Sequence, residues 1–306
     1  MGLFGKKEPC PICGGKVPML LSTKIEGQPI CNDCAGKIDL PRELENALTL
    51  QGFHEYLAFY EENCKLRANF VTSERIDFGV LDTKIVFDYD HKLFCMSTNL
   101  DKTIFKGSQL LSVTVWEDTQ LLFEGSPETL RWHESRVPAW AEAVAPQIAQ
   151  LRLNQELVEA IDRLDDDDDD HHHHHNRYVD IPEPFQQFNV ELRLDHPYWK
   201  VIQCDMSGPV ISSSYPDVND FMNDYARDRQ TVGELVYALA TVAFPDATEC
   251  SDGQPAPAVQ PAAAPQSPPA AGQDPVEQLR KYKQLMEDGV IDADEFAAKK
   301  KQLLGL

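Results

Sequence analysis

Four cysteines near the amino terminus carry the chemistry that is easiest to name. Cys10-Pro11-Ile12-Cys13-Gly14-Gly15 is followed by Cys31-Asn32-Asp33-Cys34, so two C-x-x-C pairs stand 17 residues apart. Each pair can curl into a knuckle that presents two sulfurs to one ion, and four thiolates complete a tetrahedral zinc site. Gly14 and Gly15 let the backbone turn directly after the first pair. Two disulfides or a redox C-x-x-C are the competing readings, but a redox pair leaves the second pair unexplained. Four thiolates leave no open coordination position. The spacing therefore points to one structural zinc per chain at Cys10, Cys13, Cys31 and Cys34, not to a catalytic ion.

The elements that must position these sulfurs follow from the residues around them. Lys16 to Ile25 has extended, partly apolar character, and Gly27-Gln28-Pro29 turns the chain back, which predicts a small hairpin between the pairs. Ala35 to Ile38 reads as a helical turn over the site. Asp39 and Pro41 mark a new helix start. Leu44, Ala47 and Leu48, then Phe53, Tyr56, Leu57 and Tyr60, carry an apolar stripe toward Cys64, with Gly52 weakening or bending its middle. His54 reads as a partly exposed helix residue.

From about Thr72 the pattern becomes that of strands. Ile85-Val86-Phe87 and Leu93 to Met96 flank a polar turn, Asp88 to Lys92, and Ile104-Phe105-Lys106 is a further short strand. Leu111 to Trp116 and Leu121 to Phe123 flank a second turn. Phe188, Val190, Leu192 and Leu194 alternate with polar residues and predict pairing with Trp199 to Met206. Val232, Leu235, Val236, Leu239 and Val242 share one helical face. Short antiparallel strands closed by one amphipathic helix predict a small curved sheet or barrel plugged by that helix.

An insert from Pro127 to Pro184 interrupts this region. Ala139 to Leu164 is helical in composition, and Asp165 to Asp170 then runs into His171, His172, His173, His174 and His175. Such a run cannot pack and reads as a solvated loop. Imidazoles and carboxylates are also ligands, so a weak metal tract at His171 to His175 is the sharper alternative. His91, His133 and His196 form no ligand spacing.

Pro245 to Gln273 is rich in Pro, Ala and Gln and reads as a linker. Beyond it, Pro275 to Glu287 and Ala293 to Leu304 form two short helices around Asp288-Gly289, with Asp292 and Glu295 placed as a capping box. The expected architecture is α+β and multidomain: a zinc ribbon or treble-clef over 1–40, a connecting helix over 41–70 and an antiparallel β-domain over 71–244 with its insert at 127–184. A flexible linker over 245–273 and a helical hairpin over 274–306 complete it.

Composition narrows the partners. Asp and Glu total 50 against 28 Lys and Arg, a net charge of −22, which opposes phosphate backbones and anionic lipid heads. Nucleic acid is therefore disfavoured as a partner, and a membrane surface is possible only through a local basic patch. Cys64, Cys95, Cys204 and Cys250 show no paired spacing, and free thiols beside a zinc–thiolate site indicate a reducing, cytoplasmic setting. Met1 to Lys7 is too short for a signal h-region. No Gly-rich phosphate loop, G-x-S-x-G or H-E-x-x-H occurs, so no enzyme is expected.

Three segments carry a family resemblance. The tail from Gln278 to Leu304 is similar to the SHOCT (short C-terminal) domain. Leu279, Leu285, Gly289, Ile291, Glu295, Phe296, Lys300, Leu303 and Leu304 follow its pattern with one different gap. The start resembles an uncharacterised bacterial zinc-ribbon family that opens with a CPxCGG knuckle and is often paired with a SHOCT tail. Glu61-Glu62-Asn63, Phe70 with Thr72, and Ile104 to Leu111 look like the central region of those proteins, itself similar to a bacterial pleckstrin-homology-like domain. The insert at 127–184 departs from the family. The resemblance implies no catalytic residue, and it implies oligomerisation or docking through Leu279, Ile291, Phe296, Leu303 and Leu304. The expected function is thus a bacterial adaptor or scaffold. A lipid-binding β-domain and a nucleic-acid-associated ribbon are the alternatives.

Overall fold

The computed structural model describes residues 9–18, 20–78, 84–97, 100–162, 181–212 and 216–251. The Asp/His tract with His171 to His175, the chain beyond Ser251, and the tail with Leu279, Ile291, Phe296, Leu303 and Leu304 lie outside the described residues. In chain order the elements are β1 (Lys24–Ile25), β2 (Gln28–Pro29), α1 (Asn32–Ala35), α2 (Arg42–Asn46), α3 (Leu50–Asn69), β3 (Glu74–Asp77), β4 (Lys84–Asp88), β5 (Leu93–Cys95) and β6 (Ile104–Lys106). They continue as a 3₁₀ turn (Gly107–Gln109), β7 (Leu110–Glu117), β8 (Gln120–Gly125), β9 (Thr129–Trp132), α4 (Val137–Asp162), β10 (Gln187–Leu194), β11 (Val201–Ser207), α5 (Val218–Ala243) and β12 (Thr248–Ser251). The class is α+β.

Among the described residues the strands make a two-stranded ribbon β1-β2, a four-stranded sheet β3-β4-β5-β6 and a six-stranded sheet β11-β10-β7-β8-β9-β12. The six-stranded sheet is ordered by alternation. Phe188, Val190, Leu192 and Leu194 of β10 are buried, while the residues between them are not. Register places Val190 opposite Val115 and Leu192 opposite Val113, so the buried sets of β10 and β7 coincide. A one-residue slip would move all of them to the other face. Each such side chain contributes about 1.5–3 kcal/mol by leaving water. On α5, Val232, Leu235, Val236, Leu239 and Val242 are buried at helical spacing.

The structure departs from the sequence reading at four places. The expected helix from Asp39 to Cys64 is broken at residues 47–49, where α3 starts afresh. The Thr49 hydroxyl accepts the Gly52 N–H at 2.9 Å, so Gly52 sits in a first turn and does not bend a helix interior. The helical turn over the ribbon begins at Asn32, inside the second cysteine pair. β9 lies within the span assigned to the insert, yet pairs with β8. β12 lies within the span assigned to the linker and pairs parallel with β9, the exception in an otherwise antiparallel sheet. A short edge strand carries neither a long apolar run nor firm alternation, so composition does not mark it.

Among the described residues, those within 9–135, 185–208 and 227–251 form one compact unit, and those within 136–162, 181–184, 209–212 and 216–226 a second. In the second, Trp140 packs on Phe221 with ring centroids 4.8 Å apart, its indole N–H reaches the Pro182 carbonyl at 3.1 Å, and Arg152 pairs with Asp217. α4 carries Pro146 in its interior. No helix among the described residues is long and apolar enough to cross a membrane.

Candidate metal centre

The first knuckle closes on its own backbone. The Cys10 N–H donates to the Gly15 carbonyl and the Gly14 N–H to the Cys10 carbonyl, both at 2.8 Å. Gly14 takes φ of +72°, where glycine is tolerated and a side chain is strained. The Gly15 N–H points at Cys13 Sγ at 3.4 Å, and a Cβ on Gly15 would stand 3.1 Å from that sulfur. The second pair is built differently. Cys31 is the extended residue ahead of α1, and Cys34 follows within the helix's single turn, with the Ala35 N–H bonded to the Cys31 carbonyl at 2.9 Å. Spacing of three along a helical turn turns both sulfurs to one side.

The two knuckles bring Cys10, Cys13, Cys31 and Cys34 together, with all four sulfurs within 4.8 Å of one another. Cys10 Sγ lies 3.9 Å from Cys34 Sγ, and Cys13 Sγ lies 3.4 Å from Cys31 Sγ. A tetrahedral ion with metal–sulfur bonds of about 2.3 Å sets its sulfurs about 3.8 Å apart. The four donors fit a metal ion. Cys10, Cys31 and Cys34 are buried, and Cys13 is exposed.

Electrostatics favour a cation there. Burial acts to raise the Cys10 thiol, but backbone hydrogen bonds from Cys31, Cys13 and Ile12 outweigh it and bring it down to about 6. Burial and the neighbouring thiols push Cys34 well above its ordinary value. For Cys31 the Cys34 backbone hydrogen bond acts downward, yet burial and the Cys13 and Cys10 sulfurs leave it raised. One thiolate is accommodated, and further ones repel it. A dication removes that repulsion, which is why thiolate sites lose protons as they load. Cys95 and Cys204 stand outside the cluster, and burial pushes each thiol up to about 12.

The site rests on a core that continues past the cysteines. Val17, Ile25, Ile30, Leu40, Phe53 and Tyr56 are buried with them. Tyr56 lies 17 residues beyond Asp39, receives its N–H at 3.0 Å, and donates its own hydroxyl to the Lys37 carbonyl at 2.9 Å. Its ring meets Tyr198 edge-on at 5.2 Å. The buried Asn63 amide then bonds both ways to Ile104 on β6, at 2.8 and 3.0 Å, and satisfies that edge strand. Sequence reasoning placed Tyr56 only in an apolar stripe and left His196 without a role. Nothing in the spacing pairs the Tyr56 ring with Tyr198 or the His196 ring with Phe59, because each of those ring contacts joins residues more than a hundred positions apart. His54 is exposed on α3, and His91 is bonded to Asp88 at 2.7 Å.

This geometry defines a ribbon whose four clustered cysteines could hold a metal ion. Residues 8–56 match the family model described as a domain of unknown function, DUF4428, and residues 277–304 match the Short C-terminal domain, SHOCT. The first match ends at Tyr56, the residue whose hydroxyl closes the ribbon core. No curated protein and no solved structure matches the chain.

Proposed function

We propose that the chain is a non-enzymatic adaptor of the bacterial cytoplasm. In this reading a structural zinc holds its amino-terminal ribbon, and its SHOCT tail drives self-association or docking to a partner protein. The observation that carries the reading is the closure of the four-thiol centre on a hydrophobic core that runs through Phe53 and Tyr56 into α3. An ion in such a place organises structure and has no position left for substrate. Zinc suits the donor set, since borderline-soft ions in four-thiolate sites are characteristically zinc or iron. The β-region is proposed as a pleckstrin-homology-like domain, a reading supported by its antiparallel strands and the buried stripe of α5.

The tail's two short helices are marginal alone in water. Ordering some thirty residues costs about 1.5 kcal/mol each, more than their few apolar side chains return, so a partner surface is needed to tip the balance. The Pro/Ala-rich linker gives the tail reach and raises its effective concentration at a neighbouring copy. Light scattering on the full chain, on a chain ending at Pro269 and on Phe296→Ala tests this. A larger mass for the full chain alone is expected. Equal masses rule out self-association and leave docking to a different protein.

A further inference from the structure

A groove of about 590 Å³ opens at one end of the four-stranded sheet, and its charge runs against that of the chain. His91 and Lys92 come from the β4–β5 turn, Lys106 from the end of β6, Ser108 from the 3₁₀ turn and Asn69 from the end of α3. Leu66 and Leu93 supply the apolar part of the lining. In a protein with 50 acidic against 28 basic residues, no carboxylate among the described residues lines it.

Asp88, which precedes the turn, is held by donors and does not line the groove. It is fully buried and accepts the Val71 N–H at 2.8 Å, the His91 N–H at 3.0 Å and His91 Nδ1 at 2.7 Å. Those bonds fix the His91 ring from below and leave its other nitrogen uncommitted. Lys92 adopts φ of +56°, a left-handed conformation that strains a non-glycine residue. Its ammonium is pinned by the Thr241 carbonyl at 3.0 Å, in the last turn of α5, with two N–H groups left over. The Lys92 carbonyl accepts the Gly107 N–H at 2.8 Å, which ties the turn to the strand end bearing Lys106 and Ser108. Lys106 is exposed and has no ion pair among the described residues. Two lysines, a serine and an asparagine therefore line one open, partly apolar groove on an anchored frame.

We propose that this groove binds a phosphate monoester. Lys92 and Lys106 match its charge of nearly two, Ser108 and Asn69 donate to its oxygens, and its organic part lies over Leu66 and Leu93. A carboxylate brings half the charge and fewer acceptor oxygens. The idea is independent of the metal centre and of the tail.

Calorimetric titration of the full chain at low salt with phenyl phosphate tests it, with inorganic phosphate and benzoate as comparisons. One-to-one binding is expected, weaker for both comparison anions and weakened by added salt. Lys106→Glu, at an exposed position, is expected to weaken it about tenfold or more, and Lys92→Gln with Lys106→Gln to abolish it. Circular dichroism of the variants establishes that they fold. A second arm uses phosphatidylcholine vesicles containing one-fifth phosphatidic acid. Co-sedimentation lost in Lys106→Glu places the phosphate on a lipid, and binding of phenyl phosphate without co-sedimentation places it on a soluble ester. No binding in either arm, equal affinity for benzoate, or binding unchanged in Lys106→Glu overturns the proposal.

Discussion

Asp39 Oδ2 accepts both the backbone N–H and the hydroxyl of Thr103, at 2.6 and 2.7 Å, across 64 positions of sequence. Thr103 is buried, so both of its donors depend on this carboxylate. Asp39 also presents its carbonyl to the Trp199 indole N–H at 3.3 Å and its other carboxylate oxygen to Lys102 at 3.5 Å. One residue after the ribbon thus ties the metal module to β6 and to the β10–β11 turn. Asp39→Ala leaves two buried donors unsatisfied, at about 1–3 kcal/mol each. An unfolding free energy in urea lowered by about 2–6 kcal/mol is expected, and Asp39→Asn, which keeps an acceptor oxygen, loses less. Equal losses in the two variants would mean that the contact to Thr103 carries little.

Freshly prepared protein is expected to hold about one zinc per chain, and Cys13→Ser to lose it. Binding free energy of roughly 10–16 kcal/mol in such sites is folding energy. Removing the ion with a chelator is expected to speed hydrogen exchange through residues 9–56, because Phe53 and Tyr56 share the cysteines' core. Amides of β7, β8 and β10 should keep their protection, since their ladder is independent of the sulfurs. Metal analysis that finds no zinc, or unchanged zinc in Cys13→Ser, refutes the centre.

The cysteine spacing was enough to bring four sulfurs together, because a metal site is written into local sequence by ligand type and interval. The strands with firm alternation, β7 and β10, were equally legible. Legibility failed where a contact is made across the chain. The break at Thr49 depends on one hydroxyl capping one N–H, and β9 and β12 are short strands whose identity comes from their neighbours. Asn63 appeared in a motif, but its bonds to Ile104 belong to tertiary structure. The lining of the basic groove comes from α3, the β4–β5 turn, β5, β6 and the 3₁₀ turn, and leaves no trace in the overall composition, which is acidic.

His196 gives a pH dependence with a defined sign. It is 1% exposed, and its Nδ1 accepts the Tyr198 and Trp199 N–H groups at 3.2 and 3.0 Å, so the neutral ring is the one the turn needs. Phe59 and Phe105 close around it edge-on at 5.1 and 5.3 Å. Burial, with a smaller push from Lys200, lowers its pKa from 6.5 to about 4. Between those values the unfolded chain binds the proton and the folded chain does not. Stability from this residue is present in full above about 6.5 and is lost as pH falls toward 4, on the order of 3 kcal/mol. His196→Asn keeps an oxygen for the same two N–H groups and cannot titrate, as in an Asx turn. Its stability is expected to be lower at pH 7 and flatter between pH 6.5 and 4. Parallel curves for the two proteins would assign the dependence to other groups.

Gly107 and Gly233 face opposite constraints, and alanine at each should act in opposite directions. The last turn of α5 approaches the strand end so closely that a Cβ at Gly107 would lie 2.0 Å from the Val242 carbonyl oxygen and 2.6 Å from its carbon. Those are backbone atoms, which cannot rotate away as a side-chain tip can. Gly107→Ala must therefore shift the end of α5, together with the Lys92 contact to Thr241, at a cost of at least about 2 kcal/mol. Gly233 lies inside α5, and a Cβ there meets nothing within 4 Å. Gly233→Ala removes backbone freedom from the unfolded chain and improves helix propensity, a gain of about 0.5–1 kcal/mol. Thermal unfolding of both variants beside the parent checks the pair. Gly107→Ala should melt several degrees lower and Gly233→Ala slightly higher. A Gly107→Ala protein as stable as the parent would show that α5 does not approach β6 this closely.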